Sequence, residues 1–265
     1  MDARPSRINA ASIGSALVGA AKGLADALVP ATCLCCERRV VAAGTACPEC
    51  WCELRFIERP YCEVLGTPFT YDLGPGALSA EVIAAPPPFQ RARAPLAYEG
   101  AAIRLVTALK FADRTDLAPW MARWMWRAAH DYRPTEGEGR QGAGPVLVPV
   151  PLHRARMVQR STNQAGELTR ALARLSGFDH RPDWLVRPKH TRPQVGLGRE
   201  ARIRNMAGAF AVPETARSDL QGRRVVLVDD VFTTGATLAA CARVLKRGGA
   251  RHVDCLTFAR VVKEV

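Results

Sequence analysis

Two adjacent carboxylates, Asp229 and Asp230, stand between an apolar run and a turn of small, hydroxyl-bearing residues. The run begins at Val225 and has the composition of a strand buried on both faces of a parallel sheet, which we expect to end at Asp229. The turn contains three threonines and a glycine that permits a positive φ, just before a predicted helix. Backbone N–H groups at a helix N-terminus bind phosphate, whereas carboxylates at a strand tip bind sugar hydroxyls or Mg²⁺. The pattern predicts a phosphosugar site; the alternative is that these side chains only cap the helix.

The stretch from Val225 to Leu238 resembles the phosphoribosyl pyrophosphate (PRPP) motif of type I phosphoribosyltransferases: an apolar run, two acidic residues, two variable positions, then Thr-Thr-Gly-x-Thr. The resemblance implies that Asp229 and Asp230 are the catalytic pair and hold the ribose hydroxyls. It also implies that Thr233 to Thr237 hold the 5′-phosphate. Where purine-base enzymes of that superfamily carry an Asp general base, this chain has Thr233, so base-assisted attack by a purine is not supported. The PRPP-binding residues implied are Val228, Asp229, Asp230, Thr233, Thr234, Gly235, Ala236 and Thr237.

The rest of the chain must form the sheet that holds the strand ending at Asp229. Its 265 residues, 48% of them hydrophobic, suffice for one domain of ordinary size plus an appendage. The resemblance implies an α/β fold of the type I phosphoribosyltransferase kind, a parallel sheet with helices on both faces; the appendage is the cysteine-rich N-terminal segment. Ile103, Val106 and Leu109 are expected to form the buried face of one helix. The apolar periodicity predicts strands at 95–98, 146–151, 225–229 and 252–259, and helices near 103–110, 117–128, 164–175 and 238–247.

Residues 1–30 are apolar after a basic start, which superficially suggests a signal peptide. Gly14, Lys22 and Asp26 interrupt the run, and no stretch approaches the ~18 apolar residues of a membrane span. Leucines near helical spacing favour an amphipathic helix over 1–30 instead. Without a convincing secretion signal or membrane span, we expect a cytoplasmic protein.

Seven of the nine cysteines lie between Cys33 and Cys62. Two C-x-x-C pairs separated by ten residues have the spacing of two turns that offer four thiolates to one tetrahedral Zn²⁺. Four thiolates close the coordination sphere, so the zinc is expected to be structural. A disulfide framework is the alternative, and Cys35 could replace one ligand. The predicted ligands are Cys33, Cys36, Cys47 and Cys50.

Over roughly residues 28–262 the chain resembles the competence protein F family, which joins a cysteine-rich ribbon to a phosphoribosyltransferase domain. That family often carries a second group of paired cysteines, but here Leu65 stands where a partner of Cys62 would be, which argues against a second zinc site. Cys62 is then a buried thiol or a spare ligand, and the role of Cys52 stays open. The predicted domains are the helix of 1–30, a zinc ribbon at 31–69, a connector at 70–92 and a phosphoribosyltransferase-like domain at 93–265.

Several further residues are candidates through the same resemblance. The loop after the strand at 146–151 is implied to contact pyrophosphate, and its cations suit phosphate oxygens, although a charge run is also a common solvated face. Lys110 lies in a segment similar to a Leu-Lys-Tyr-x-Asp segment of the same family, which suggests a functional role. The alternative interpretation is a solvated lysine at the end of a helix, where the helix dipole favours a positive charge. The polar stretch 187–210 has the composition of a mobile lid. The candidates for pyrophosphate are His153, Arg154 and Arg156, and the others are Asn163, Gln194 and Arg202.

The implied reaction starts from PRPP with Mg²⁺, and an amine or nitrogen base displaces pyrophosphate; the acceptor cannot be read from the sequence. The rival class is a non-catalytic accessory protein for DNA uptake, because a net charge of +12 and a zinc ribbon also suit single-stranded DNA or a competence helicase as partner. The sequence has no interleaving of aromatic and basic residues typical of a single-strand platform. PRPP could also serve as a regulatory ligand on a fold that has lost its chemistry.

Overall fold

The structure, a computed structural model, describes residues 30–133, 144–152, 162–188 and 208–262. The chain divides into two compact units, residues 1–51 and 52–265. Most of the helix predicted over 1–30 lies outside the described residues, and so do five of the candidate site residues: His153, Arg154, Arg156, Gln194 and Arg202. Within the part of the chain that is described, no helix is long and apolar enough to cross a membrane.

The first unit carries the cysteine-rich segment. An isolated antiparallel bridge joins Thr32 to Arg39 and closes a tight turn. Glu37 adopts a left-handed conformation in that turn, with φ of 62°. The helix α1 (Pro48–Cys52) follows, and its Cys50 is buried. Short elements of this kind have little core of their own, so their stability depends on what the cysteines bind.

The second unit is built on five parallel strands, and this confirms the α/β fold predicted from the sequence. The spatial order is β1–β5–β4–β3, and β2 pairs with the far end of β5. The apolar residues of β4 from Val225 to Val228 are buried, since strands pair with it on both sides. The strands are β1 (Ala92–Arg93), β2 (Leu96–Ala97), β3 (Val146–Pro149), β4 (Arg224–Phe232) and β5 (His252–Arg260).

The strand that carries the two carboxylates is longer than predicted. We expected it to end at Asp229, but β4 continues to Phe232. The partner strand β5 is equally long, and its register pairs Asp229 with Thr257 and Val231 with Ala259. Backbone hydrogen bonds to β5 therefore hold the acidic residues in extended conformation. As a result both carboxylates project from a strand and not from a loop.

The helices bury one stripe each, as expected of elements packed on a sheet. In α3, Val106 and Leu109 are buried as predicted, but Ile103 is 41% exposed and Leu105 takes its place in the core. The segment 70–92, predicted as a connector, contains α2 and reaches β1. The helices of this unit are α2 (Ala80–Ala84), α3 (Gly100–Phe111), α4 (Ala118–Ala128), α5 (Gln164–Ser176), α6 (Glu214–Leu220) and α7 (Ala236–Arg247).

Candidate functional site

The carboxyl ends of β3 and β4 meet at one edge of the sheet. Pro149 is in register with Val228, and the Val150 N–H donates to the Val228 carbonyl over 2.9 Å. The chain leaving β3 therefore starts next to Asp229. Pro151 lies just beyond, two residues before the predicted pyrophosphate loop begins at His153. Open parallel sheets bind ligands at such an edge.

The two carboxylates of β4 differ in their contacts. The Asp230 N–H donates to Asp229 Oδ1 over 2.9 Å, so the first carboxylate is held against the backbone of the second. Lys110, in the last turn of α3, places its Nζ 2.9 Å from Asp230 Oδ2. The two side chains are 24% and 13% exposed, respectively, so water screens this ion pair less than a surface pair. The lysine that is a candidate through family resemblance thus contacts the second of the two carboxylates.

Burial, together with the neighbouring Asp230 charge, raises the pKa of Asp229 to about 7. The Asp230 backbone N–H, Lys110 and Arg187 oppose that rise. Near neutral pH the site therefore holds one carboxylate that is easily protonated, and it would gain from an added cation or hydrogen-bond donor. Perturbed carboxylates of this kind cluster at functional sites.

Arg187 is a site residue that the sequence did not single out. Its guanidinium carbon lies 5.2 Å from the centroid of the Phe210 ring, and its charge lowers the pKa of both Asp229 and Cys241. The only signal in the sequence was its place at the start of the polar stretch 187–210. Most of that stretch, including Gln194 and Arg202, lies outside the described residues.

The turn after β4 has the geometry of an anion cradle. Gly235 has φ of 72°, which confirms that this position needs a glycine, and α7 begins at the next residue. A Cβ at Gly235 would lie 2.7 Å from Cζ of Phe232. Within the described residues, the buried Oγ1 of Thr234 has no hydrogen-bond partner. In any α-helix the first-turn N–H groups have no acceptor within the helix, so the N-terminus of α7 has the geometry that binds an anion.

Asn163 lies at the same edge of the sheet, because it precedes α5 in the connection from β3. It is the N-cap residue of α5, and its Nδ2 donates to the Val150 carbonyl over 3.5 Å. Its Oδ1 is buried and has no hydrogen-bond partner among the described residues. The side chain thus ties the start of α5 to the end of β3, and it still has acceptor capacity.

The four predicted cysteines form a cluster suited to a metal. The Sγ atoms of Cys33, Cys36, Cys47 and Cys50 all lie within 4.8 Å of one another, and those of Cys36 and Cys47 are 3.7 Å apart. Tetrahedral Zn–S bonds of about 2.3 Å place sulfurs about 3.8 Å apart, so the spacing fits zinc. Cys35 is not part of the cluster, and Cys52 is exposed.

The environment of Cys33 favours a thiolate. Burial alone would raise its pKa, but backbone N–H donors, from Cys47 at 3.2 Å and Cys35 at 3.4 Å, lower the pKa of this thiol to about 6. N–H groups directed at sulfur are the usual support of a metal-bound thiolate. Four such sulfurs leave no open position for a substrate, so the site serves structure and not catalysis.

Comparison with known families agrees with both parts of this description. The family model of the double zinc ribbon domain matches residues 24–81. The model of the phosphoribosyl transferase domain matches residues 153–263, which include β4, β5 and the turn between Phe232 and α7. A zinc ribbon joined to a phosphoribosyltransferase domain is therefore the organisation of this chain.

The chain is also similar in sequence to several curated proteins. Competence protein F of Haemophilus influenzae is 31% identical over 156 residues, 59% of this chain and 66% of that protein. DNA utilization protein YhgH of Escherichia coli K12 is 29% identical over 230 residues, 87% of this chain and 90% of that protein. Competence protein ComFC of Bacillus subtilis is 34% identical over 116 residues, 43% of this chain and 44% of that protein.

Proposed function

The chain belongs to the competence protein F family, and from that premise we propose that it binds PRPP with Mg²⁺ at the tip of β4 and transfers the phosphoribosyl group to a nitrogen nucleophile. One observation carries the proposal: the two carboxylates near the carboxyl end of β4 lie a few residues before a turn that contains the unpartnered Thr234 Oγ1 and the N-terminus of α7. The ribose hydroxyls of PRPP need carboxylate acceptors, and its 5′-phosphate needs N–H and O–H donors a short distance away.

In this proposal the two carboxylates of β4 bind the ribose of PRPP, and the turn that follows β4 binds its 5′-phosphate. Asp229 and Asp230 accept hydrogen bonds from the ribose hydroxyls. Thr234 Oγ1 and the backbone N–H groups from Gly235 to Thr237 donate to the 5′-phosphate, where the dipole of α7 adds its positive end. Lys110 keeps the paired carboxylates from repelling an anionic ligand, since it neutralises Asp230 before PRPP arrives.

The residues fit a bound Mg²⁺, because two carboxylates with one raised pKa form an oxygen donor set that gains from a cation. When bound, the ion would neutralise charge on the pyrophosphate leaving group. His153, Arg154 and Arg156 are proposed to contact that pyrophosphate from the loop after β3. Asn163 holds the far end of the same loop against Val150.

The reaction that we propose is a displacement at the anomeric carbon. The C–O bond to pyrophosphate breaks and its electron pair leaves with pyrophosphate, while a nitrogen lone pair forms the new N–C bond and the nitrogen loses its proton. Positioning of the reactants and neutralisation of the leaving group supply most of the rate. Closure of the 187–210 segment, with Gln194 and Arg202, is proposed to exclude water from the ribosyl cation.

A ³¹P NMR experiment tests this chemistry. Wild-type protein is mixed with PRPP, Mg²⁺ and a panel of amines and nitrogen bases; we expect one acceptor to release pyrophosphate. The double variant Asp229→Asn, Asp230→Asn should not do so. The matched control is Asp183→Asn, Asp219→Asn, which removes two exposed carboxylates that pair with Arg181. Release at the same rate in the β4 variant would refute the assignment.

A second function, binding of single-stranded DNA or of a helicase as an accessory protein, is favoured by the net charge of +12 and by the relatives' names, which refer to competence and DNA utilization. Under this proposal oligonucleotide affinity falls steeply with added salt, because binding releases counterions. An affinity that does not change with salt would exclude nucleic-acid binding.

A site of four thiolates suits a reducing compartment, so we propose that the protein acts in the cytoplasm.

A further inference from the structure

Residues 60–84 repeat the backbone geometry of the zinc-binding segment 31–52. Antiparallel bridges join Thr32 to Arg39 in the first segment and Tyr61 to Pro68 in the second. In both, the bridge flanks a tight turn that starts at a buried cysteine, Cys33 or Cys62. Each segment ends in a helix of five residues, α1 or α2. Apart from the cysteine that starts each turn, the two sequences have little in common.

The hydrogen bonds of the two turns match one for one. The Cys33 N–H donates to the Arg38 carbonyl over 2.7 Å, and the Cys62 N–H donates to the Thr67 carbonyl over 2.8 Å. The residue four places after each cysteine donates back to its carbonyl. That residue has a left-handed conformation in both turns, with φ of 62° at Glu37 and 66° at Gly66.

The connection to the following helix also matches. The Leu34 N–H donates to the Thr45 carbonyl over 3.1 Å, and the Glu63 N–H donates to the Ala77 carbonyl over 3.0 Å. In both segments the residue before the helix donates its N–H to the sulfur of the first cysteine. The Cys47 N–H donates to Cys33 Sγ over 3.2 Å, and the Ser79 N–H donates to Cys62 Sγ over 3.3 Å.

This correspondence assigns a partner to each of the four zinc ligands. Cys33 and Cys36 correspond to Cys62 and Leu65, since both pairs are three residues apart at the start of the turn. Cys47, which precedes α1, corresponds to Ser79, which precedes α2. Cys50 then corresponds to Val82. Two of these four positions in the second segment hold aliphatic side chains, which have no atom that can bind a metal.

Apolar packing fills the place where a second metal would lie. Leu65 and Val82 are 6% and 4% exposed, and Cys62 is completely buried. These three side chains belong to the same hydrophobic cluster as Val225 and Leu227 of β4. In the zinc-binding segment the corresponding side chains face one another as a sulfur cluster instead.

Polar contacts attach the second segment to the sheet. The Ala92 N–H of β1 donates to the Val64 carbonyl over 2.7 Å. The buried guanidinium of Arg93 donates to the Glu63 carbonyl over 2.9 Å, and that of Arg260 donates to the Leu65 carbonyl. A segment held by the core and by two buried arginines needs no ion to fix its turn.

We propose that residues 60–84 are a zinc ribbon that no longer binds a metal. Packing against the hydrophobic core of the phosphoribosyltransferase domain stabilises it instead, so that the protein binds one zinc ion per chain. The matching double zinc ribbon family implies two ribbons, and both are present as folds. Only the first has the donor set, and among the described residues only the cluster Cys33, Cys36, Cys47 and Cys50 brings together three or more protein ligands for a metal such as zinc.

Metal analysis of the purified full-length chain tests the stoichiometry. We expect one equivalent of zinc in the wild type and in Cys62→Ser, and a loss of zinc in Cys33→Ser. Cys33 and Cys62 are both fully buried, so the two variants are matched. Two equivalents in the wild type, or a fall in zinc on Cys62→Ser, would overturn the proposal.

Restoring the lost ligands tests the correspondence itself. The triple variant Leu65→Cys, Ser79→Cys, Val82→Cys should bind a second equivalent of zinc. Substituted with Co²⁺, it should show twice the absorbance of tetrahedral cobalt thiolate found in the wild type. A folded triple variant that still binds one equivalent would overturn the proposal. If the variant does not fold, the comparison of wild type with Cys62→Ser decides.

Discussion

Lys110 Nζ lies 2.9 Å from Asp230 Oδ2, and this ion pair ties the last turn of α3 to the tip of β4. The two residues are 120 positions apart in the sequence, so the fold alone brings them together. Burial and the neighbouring Asp230 charge raise the pKa of Asp229 to about 7, and Lys110 opposes that rise. The charge balance of the site therefore depends on Lys110 and Arg187 as well as on the two carboxylates.

Removal of the lysine charge should raise the pKa of Asp229 further, because Lys110 is one of the charges that lower it. We expect Lys110→Met to shift that pKa upward by about half a unit or more. Lys110→Arg keeps the charge and should leave the pKa nearly unchanged. A ¹³C NMR titration of the aspartate carboxyl groups measures both; equal pKa values in the two variants would contradict the role assigned to the ion pair.

The raised pKa of Asp229 also predicts how stability depends on pH. Between about pH 4 and pH 7 the folded chain keeps a proton on this carboxyl that the unfolded chain has lost, so ionisation of Asp229 destabilises the fold as pH rises. Asp229→Asn should therefore stabilise the protein at pH 8 relative to its effect at pH 4, by roughly 3–4 kcal/mol or about 6–16 °C in Tm. Thermal denaturation at both values tests this. A larger gain at pH 4 than at pH 8 would contradict the prediction.

The unpaired hydroxyl of Thr234 predicts a variant that separates binding from stability. Thr234→Val removes a buried Oγ1 that has no hydrogen-bond partner among the described residues, so Tm should stay equal or rise slightly. A hydrogen bond to a charged phosphate contributes roughly 1.5–3 kcal/mol, so PRPP affinity should fall about 10- to 100-fold. Thr234→Ser retains the hydroxyl and should bind like the wild type. Unchanged affinity in Thr234→Val would remove this residue from the cradle.

Gly235 and Gly177 form a matched pair for testing the turn. Both have φ near 72°, but only at Gly235 would a Cβ meet another group, the Phe232 ring at 2.7 Å. Gly177→Ala should lower stability by about 1–2 kcal/mol through the backbone alone. Gly235→Ala should lower it by roughly a further 1–3 kcal/mol, because the ring must move. Chemical denaturation measures both, and equal losses would contradict the close approach at Gly235.

Much of this architecture could be predicted because it rests on local patterns. The apolar runs of β3 and β4 predicted buried strands, and the spacing of the C-x-x-C pairs predicted the cluster of sulfurs. The glycine at position 235 predicted a turn with a positive φ, which the structure has. Each of these features depends on residues a few positions apart, which is the range over which sequence patterns report backbone geometry.

Features that depend on distant partners could not be predicted. The extension of β4 to Phe232 depends on the length of β5, and the choice of Leu105 over Ile103 for the core depends on what α3 packs against. Arg187 joins the site through tertiary contacts that no motif records. The sequence places Leu65 at a ligand position, but it does not reveal the corresponding positions of Ser79 and Val82, because a serine and a valine give no sign of a lost metal site.

The measurement that tests the central claim most directly is calorimetric titration of the zinc-loaded chain with PRPP and Mg²⁺. The account predicts binding by the wild type, no binding by Asp229→Asn, Asp230→Asn, and wild-type affinity in the surface control Asp183→Asn, Asp219→Asn. Absence of binding by folded wild-type protein, or equal affinity in the β4 double variant, would contradict it.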